Sequence, residues 1–144
     1  MVSEAEEAQD SPVDWVAQHT RHYLDTGRTG DQLGLPALLL TTRGRRSGKW
    51  RRTVLYYGED SDRYLLVPSN SGLPEYPAWY LNLLEHPEVR IQIGLEPVFT
   101  ACARLATAEE QPPLWATMVS MLPDYETYRS MSGRDFPVVI LQRT

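Results

Sequence analysis

What the 144-residue sequence lacks narrows it first. It holds a single cysteine, Cys102, so no intrachain disulfide can form, and such thin thiol usage suits a reducing compartment. No apolar run nears the roughly 20 residues of a membrane span. The first eleven residues, MVSEAEEAQDS, are acidic and carry no apolar segment, unlike a secretory signal. These absences place the expected protein in the cytoplasm. No GxSxG elbow is present, and Cys102 falls mid-strand, where a buried inert thiol is expected. His19 and His22 have no cysteine or carboxylate at ligand spacing and read as surface or packing residues. His86, beside Pro87, reads as a helix cap. Nucleophilic and metal catalysis therefore have no support, and no metal is expected.

Positive charge is scarce as well. Lys and Arg total 14 against 19 Asp and Glu, for a net charge of -5, which disfavours nucleic-acid binding. Yet the cations are unevenly spread. Arg43, Arg45, Arg46, Lys49, Arg51 and Arg52 crowd into ten residues of the segment LLLTTRGRRSGKWRRT, with no acid among them. Such crowding in an acidic protein costs self-repulsion, and a bound anion offsets it. Gly44 and Gly48 bracket the turn, where glycine lets backbone N–H groups approach a ligand. Arginine forks between them can grip phosphate or carboxylate in pairs. A solvated basic turn is the competing reading. The string GRRSGK is one residue short of a P-loop, and Trp50 stands where a magnesium-binding hydroxyl is required.

Periodicity supplies the elements. Residues 1–11 are expected to fray. Ser11 and Pro12 mark a helix start, and the helix ends near Gly27. Strands are expected at Ala37–Thr42, Arg51–Gly58, Arg63–Ser69, Glu88–Ile93, Val98–Leu105 and Phe136–Gln142. A short helix spans Pro77–Glu85, another starts at Thr107 and breaks at Pro123, and a last one covers Asp124–Met131. About six antiparallel strands with flanking helices suit a small barrel, which leaves no exposed edge. The lack of β–α–β alternation excludes a Rossmann domain. Residues 12–144 thus read as one α+β, mainly β, domain. Tyr125 and Tyr128, at i and i+3, share a helix face in a Pro-broken segment, where they could line a pocket for a flat ligand.

The segments LLLTTRGRRSGKWRRTVLYYG, VPSNSG, YPAWYLNLLEHPEVRIQIG and MLPDYETYRSMSGRDFPVVIL together resemble the deazaflavin-dependent nitroreductase family of actinobacteria. The resemblance covers roughly residues 36–143. It implies an antiparallel six-stranded split β-barrel of the FMN-binding type, with an N-terminal helix, a mid-chain helix and C-terminal helices. It also implies coenzyme F420 as cofactor and quinones, nitroaromatics or conjugated enones as acceptors. By the same resemblance, Arg45, Arg46 and Arg51, in the turn with Ser47 and Gly48, meet the cofactor's anionic tail. Pro68, Ser69, Asn70, Ser71 and Gly72 lie along the deazaflavin. Pro77, Ala78, Trp79, Tyr80 and Asn82 frame it. Tyr56, Tyr125 and Tyr128 border the ring and the acceptor as the catalytic set. Asn70 departs from the lysine common in the family, and Leu122 from the aromatic of the nitroimidazole activator.

The implied chemistry is hydride transfer from the reduced deazaflavin to a stacked, electron-poor acceptor. Two alternatives stay open: an FMN-binding split-barrel reductase, and a non-catalytic F420 carrier. Peripheral membrane contact through the N-terminal helix and a homodimer also stay open.

Overall fold

A computed structural model describes residues 8–10, 14–28 and 33–144. Eight strands form one sheet in the order β1-β3-β2-β6-β7-β8-β5-β4. They are β1 (Ala8–Asp10), β2 (Ala37–Arg43), β3 (Trp50–Tyr56), β4 (Gly58–Asp60), β5 (Arg63–Leu66), β6 (Glu88–Ile93), β7 (Phe99–Leu105) and β8 (Val139–Arg143). Four helices accompany them: α1 (Asp14–Thr26), α2 (Ala78–Glu85), α3 (Gln111–Met121) and α4 (Asp124–Ser132). Strand β3, next to the β1 edge, and β4, at the other edge of the sheet, are separated in the chain by Tyr57 alone. The sheet therefore has to curl back toward itself, which gives a half-barrel.

The expected six-stranded antiparallel barrel is corrected in two ways. Among the described residues there are eight strands, and β1 pairs parallel with β3 (Ala8 with Trp50, Asp10 with Arg52), so the sheet is mixed. Part of the stretch expected to fray is thus a strand. The expected strand Arg51–Gly58 divides at Tyr57, where the β2–β3 ladder ends: Tyr57 N–H donates to the Pro36 carbonyl, and Pro36 has no N–H to return. Strand β5 stops short of Ser69, because Pro68 has no N–H to offer and a tight turn follows. The expected cap at Ser11 and Pro12 lies outside the described residues.

Side-chain parity builds the two larger cores, beside a small cluster of Tyr23, Leu39 and Val54 under α1. Leu66, Val139 and Leu141 point to one face with Leu38, Leu40, Val89 and Ile91, and α2 covers that face with Trp79, Tyr80 and Leu83. Leu65 and Ile140 point to the other, where Leu114 and Met118 of α3 and Tyr125 of α4 meet them. Parity also corrects the thiol. Ala101 and Ala103 of β7 are buried, so Cys102 between them faces solvent. Helix α3 begins later than Thr107, after a turn closed by reciprocal bonds. Glu110 N–H donates to Thr107 Oγ1 (3.2 Å), and Thr107 N–H donates to Glu110 Oε1 (3.0 Å). This pairing is a capping box.

Helix α1 lies against β3 and the β6–β7 turn. Its buried stripe is Ala17, Thr20 and Tyr23. Tyr23 Oη donates to the Ala37 carbonyl at 2.7 Å and accepts from the Gly94 N–H at 2.7 Å. One phenol thus ties the helix to two strands.

Candidate functional site: two joined cavities beside the basic hairpin

The hairpin between β2 and β3 closes through Gly44 N–H to the Lys49 carbonyl (2.7 Å) and Gly48 N–H to the Gly44 carbonyl (2.9 Å). Gly48 sits at φ +71, a left-handed conformation that strains any side chain. Asn82 of α2, itself 5% exposed, anchors this turn. Its Oδ1 accepts from the Arg45 backbone N–H (3.2 Å) and guanidinium Nη1 (3.0 Å), and its Nδ2 donates to Thr42 Oγ1 (3.2 Å). Helix α2 and the hairpin therefore hold a fixed distance.

Between them lies a cavity of about 470 Å³. Arg51, Arg52, Thr53, Val54 and Leu55 of β3 form one wall, and Pro77, Ala78, Trp79 and Asn82 form another. Ser69, Asn70 and Ser71 form the floor, and Val16 and His19 of α1 reach in from the side. A second cavity of about 350 Å³ continues from it. Tyr56, Leu66, Leu122, Asp124, Tyr125 and Tyr128 line that one, with Leu33 at its edge. Both cavities share His19, Val54, Leu55, Val67, Ser69 and Ser71. They are two lobes of one cleft.

The floor is a strained turn. Asn70 (φ +46) and Ser71 (φ +54) are both left-handed, at a cost of roughly 1–2 kcal/mol each. Arg134 holds them there. Its Nη1 donates to the Pro68 carbonyl (2.8 Å), its Nη2 to the Ser69 carbonyl (2.8 Å) and its Nε to the Leu73 carbonyl (3.1 Å). The same guanidinium stacks over Tyr76 (4.5 Å) and Phe136 (4.7 Å). Burial lowers its pKa, but the three carbonyls and two ring faces keep the cation satisfied. Gly72 closes the floor against α4. A Cβ there would stand 3.2 Å from Tyr128 Cα, and φ is +82. The glycine lets the floor and the tyrosine helix touch.

Helix α4 is set by a second network. Trp115 Nε1 donates to Glu126 Oε2 at 2.9 Å, and Arg129 pairs with the same carboxylate while lying over the Trp115 ring. These bonds from the indole and guanidinium lower the Glu126 pKa. Tyr125 is 4% exposed, and burial, helped by Tyr128, pushes its hydroxyl well above the usual tyrosine range.

Of the residues named from sequence, Arg51, Ser69, Asn70, Ser71, Pro77, Ala78, Trp79 and Asn82 come together in the first lobe. Tyr56, Tyr125 and Tyr128 come together in the second. Arg45, Arg46, Ser47 and Gly48 line neither lobe and occupy the hairpin turn beside the first. Pro68, Gly72 and Tyr80 stand behind the walls. Tyr80 stacks on Tyr76 at 4.8 Å and helps fix α2. Sequence reasoning did not single out Arg134. It also missed His19 and Val16. Their spacing ahead of Tyr23 was the available signal, since it puts them on the flank of the apolar stripe.

A family model described as F420H(2)-dependent quinone reductase matches residues 15–143. The chain belongs to the F420H(2)-dependent quinone reductase family. An F420H(2)-dependent quinone reductase of Mycobacterium tuberculosis is 35% identical over 139 residues, covering 91% of each chain. A solved F420-H2 dependent reductase (FDR-A) is 35% identical, with a TM-score of 0.67 over 74% of this chain and 94% of that one. A solved structure described as a domain-swapped dimer is also 35% identical, with a TM-score of 0.69 over 92% of this chain and all of the other. The family's name carries the cofactor expected from the sequence, coenzyme F420 in its reduced form. It speaks of quinones and not of nitro compounds. Among the described residues, no helix is long and apolar enough to cross a membrane.

Proposed function

We propose that the chain is an F420-dependent oxidoreductase that passes a hydride from the reduced deazaflavin to a quinone. The first lobe holds the cofactor and the second the acceptor. One observation carries this reading: the residues expected around the deazaflavin and those expected around the acceptor line two separate lobes with a common wall. A flat donor and a flat acceptor on either side of that wall can come into the face-to-face contact that hydride transfer needs.

The donor set suits the cofactor. Arg51 and Arg52 line the first lobe, and the rest of the cationic hairpin continues from it, matching a phosphate and a carboxylate-bearing tail. Asn70, in place of a lysine, supplies no cation to that tail. Its Nδ2 donates to the Glu75 carbonyl at 2.9 Å and stiffens the floor instead. When bound, the reduced deazaflavin supplies the hydride. The chain's own residues orient it, exclude water and shape the acceptor. Trp79, 8% exposed, backs the first lobe. Tyr128 is half-buried and borders the second, where its hydroxyl can hydrogen-bond a carbonyl oxygen as negative charge grows on it.

The second lobe is bounded mainly by leucine and tyrosine, so it selects flat, electron-poor acceptors by shape. Nitroaromatics and conjugated enones are further candidates of that class. We also place the protein in the cytoplasm. The domain-swapped dimer of a relative supports a homodimer here. The test is direct: mix the purified protein with F420H2 and menadione, and follow the return of the oxidised deazaflavin's absorbance. Turnover that needs both protein and quinone is expected. A protein that binds F420 tightly yet turns over no acceptor is a carrier, and one that binds only FMN is a flavin reductase.

A further inference from the structure

The two lobes meet at a side chain that the sequence reading left as surface or packing. His19 lines both cavities, and no other described histidine lines either. Its position is fixed from below. Tyr23, one helical turn further on, is fully buried and bonded to Ala37 and Gly94. Thr20 and Ala17 are buried beside it. The helix therefore cannot roll, and the half-buried imidazole overhangs the wall common to both lobes.

The proposed chemistry needs a group there. Reduction of a quinone takes up one hydride and one proton. The hydride carries both electrons and one hydrogen, the deazaflavin is oxidised by losing it, and the acceptor is left with an oxyanion. A proton has to reach that oxygen to complete the hydroquinone. Among the described residues, the ionisable groups around the cleft are few. Helix α4 offers Asp124, Tyr125 and Tyr128, β3 offers Arg51, Arg52 and Tyr56, and the loop before α2 offers Tyr76. Guanidiniums do not release protons in this range. The Tyr125 hydroxyl borders the second lobe, but burial raises its pKa above the usual tyrosine range and makes it a reluctant proton donor. Imidazole is the side chain whose ordinary titration lies near neutrality, which suits a general acid.

We propose that His19 is a catalytic residue of the acceptor half-reaction: its imidazole contacts the quinone oxygen from the lobe junction, donates the proton that completes the hydroquinone, and is reprotonated from solvent. This rests on the quinone-reductase reading above. It also gives α1 a task in the site beyond packing.

The experiment compares wild type with His19→Gln and His19→Phe, using F420H2 and menadione. In the wild type, kcat falls with rising pH as the general acid of the reaction loses its proton. In both variants that limb disappears, and kcat at low pH falls about a hundredfold, the usual scale for losing a general acid. Because His19 also borders the cofactor lobe, affinity for oxidised F420, read by fluorescence, can fall, but by far less than kcat does. As a readout apart from turnover, the imidazole NMR resonance missing from His19→Gln shifts when menadione is added to the wild-type complex with oxidised F420. A His19→Gln enzyme that keeps the limb and its kcat overturns the proposal. So does an imidazole resonance unmoved by menadione, or a loss of F420 affinity as large as the loss of kcat, which reveals a purely structural role. A wild type that neither binds F420 nor reduces menadione overturns the quinone-reductase reading itself. A competent wild type with an indifferent His19 overturns this inference alone.

Discussion

The two lobes of the cleft are built by different forces. The first lobe, proposed for the cofactor, is fixed by directional bonds: Arg134 to three carbonyls of the floor, and Asn82 to the hairpin and to Thr42. The second lobe, proposed for the acceptor, is fixed by packing. Tyr125 and Leu122 sit on the core cluster of Met118, Phe136 and Ile140, and one carboxylate, Glu126, orients the helix from outside. Walls held by bonds of fixed direction keep one shape, whereas packed apolar and aromatic walls can adjust to a class of ligands. On the proposed function, the chain is then strict about its reductant and permissive about its oxidant.

The largest expected effect falls on the floor of the strict lobe. Arg134→Ala removes three charge-assisted hydrogen bonds and two ring contacts, leaving the carbonyls of a strained turn without a donor. A loss of about 3 kcal/mol in unfolding free energy is expected, together with at least a tenfold loss of F420 affinity, since about 1.4 kcal/mol is already tenfold. Arg134→Lys keeps the charge but not the fork and recovers only part. Denaturant titration and fluorescence binding measure the two. An Arg134→Ala protein with native F420 affinity would break the comparison, because the floor would then need no directional bonds.

Next come the cations. Arg51 lines the cofactor lobe, whereas Arg46 is exposed at the hairpin tip. Arg51→Ala should weaken F420 binding about tenfold at low salt, and Arg46→Ala by less. Both losses should shrink as salt screens the tail. The reverse ranking would move the anion site out to the tip.

Smaller still is the effect in the permissive lobe. Tyr128→Phe keeps the ring and removes the hydroxyl, so kcat should fall several-fold while F420 affinity holds. An equal loss in both would mean that the lobes are not separate. The smallest effect appears only in alkali. Tyr125 keeps its proton in the fold past the pH near 10 where an unfolded tyrosine ionises. Below that pH both states are neutral and the group contributes no slope. Above it the unfolded state alone releases a proton, so stability falls as pH rises. Tyr125→Phe should flatten that decline, as thermal melts at high pH would reveal.

Legibility in the sequence follows the same division. Packing leaves a period, so β6 was read to its ends, and the tyrosine pair on α4 was placed on one face. Glycines at a turn and a burst of cations leave a mark too, and the basic hairpin was found. Directional bonds between distant residues leave none. Arg134 reaches carbonyls more than sixty positions away, and nothing in SGRDF announces it. The parallel pairing of β1 with β3 is likewise a three-residue contact with no pattern of its own. Cys102 was misread for want of parity: it alternates with Ala101 and Ala103, and it shares the outward face of Thr100 and Arg104. His19 was visible as a histidine on the flank of an apolar stripe, but its meaning needed the cleft.

The central claim is that reductant and oxidant occupy separate lobes of one cleft. The most direct test is an equilibrium titration of the protein with oxidised F420, followed by fluorescence, in the absence of menadione and at its saturation. Separate lobes predict the same dissociation constant in both, with menadione altering the emission of the bound cofactor by contact. A dissociation constant that climbs in proportion to menadione would show that the two compete for one place, and would contradict the account.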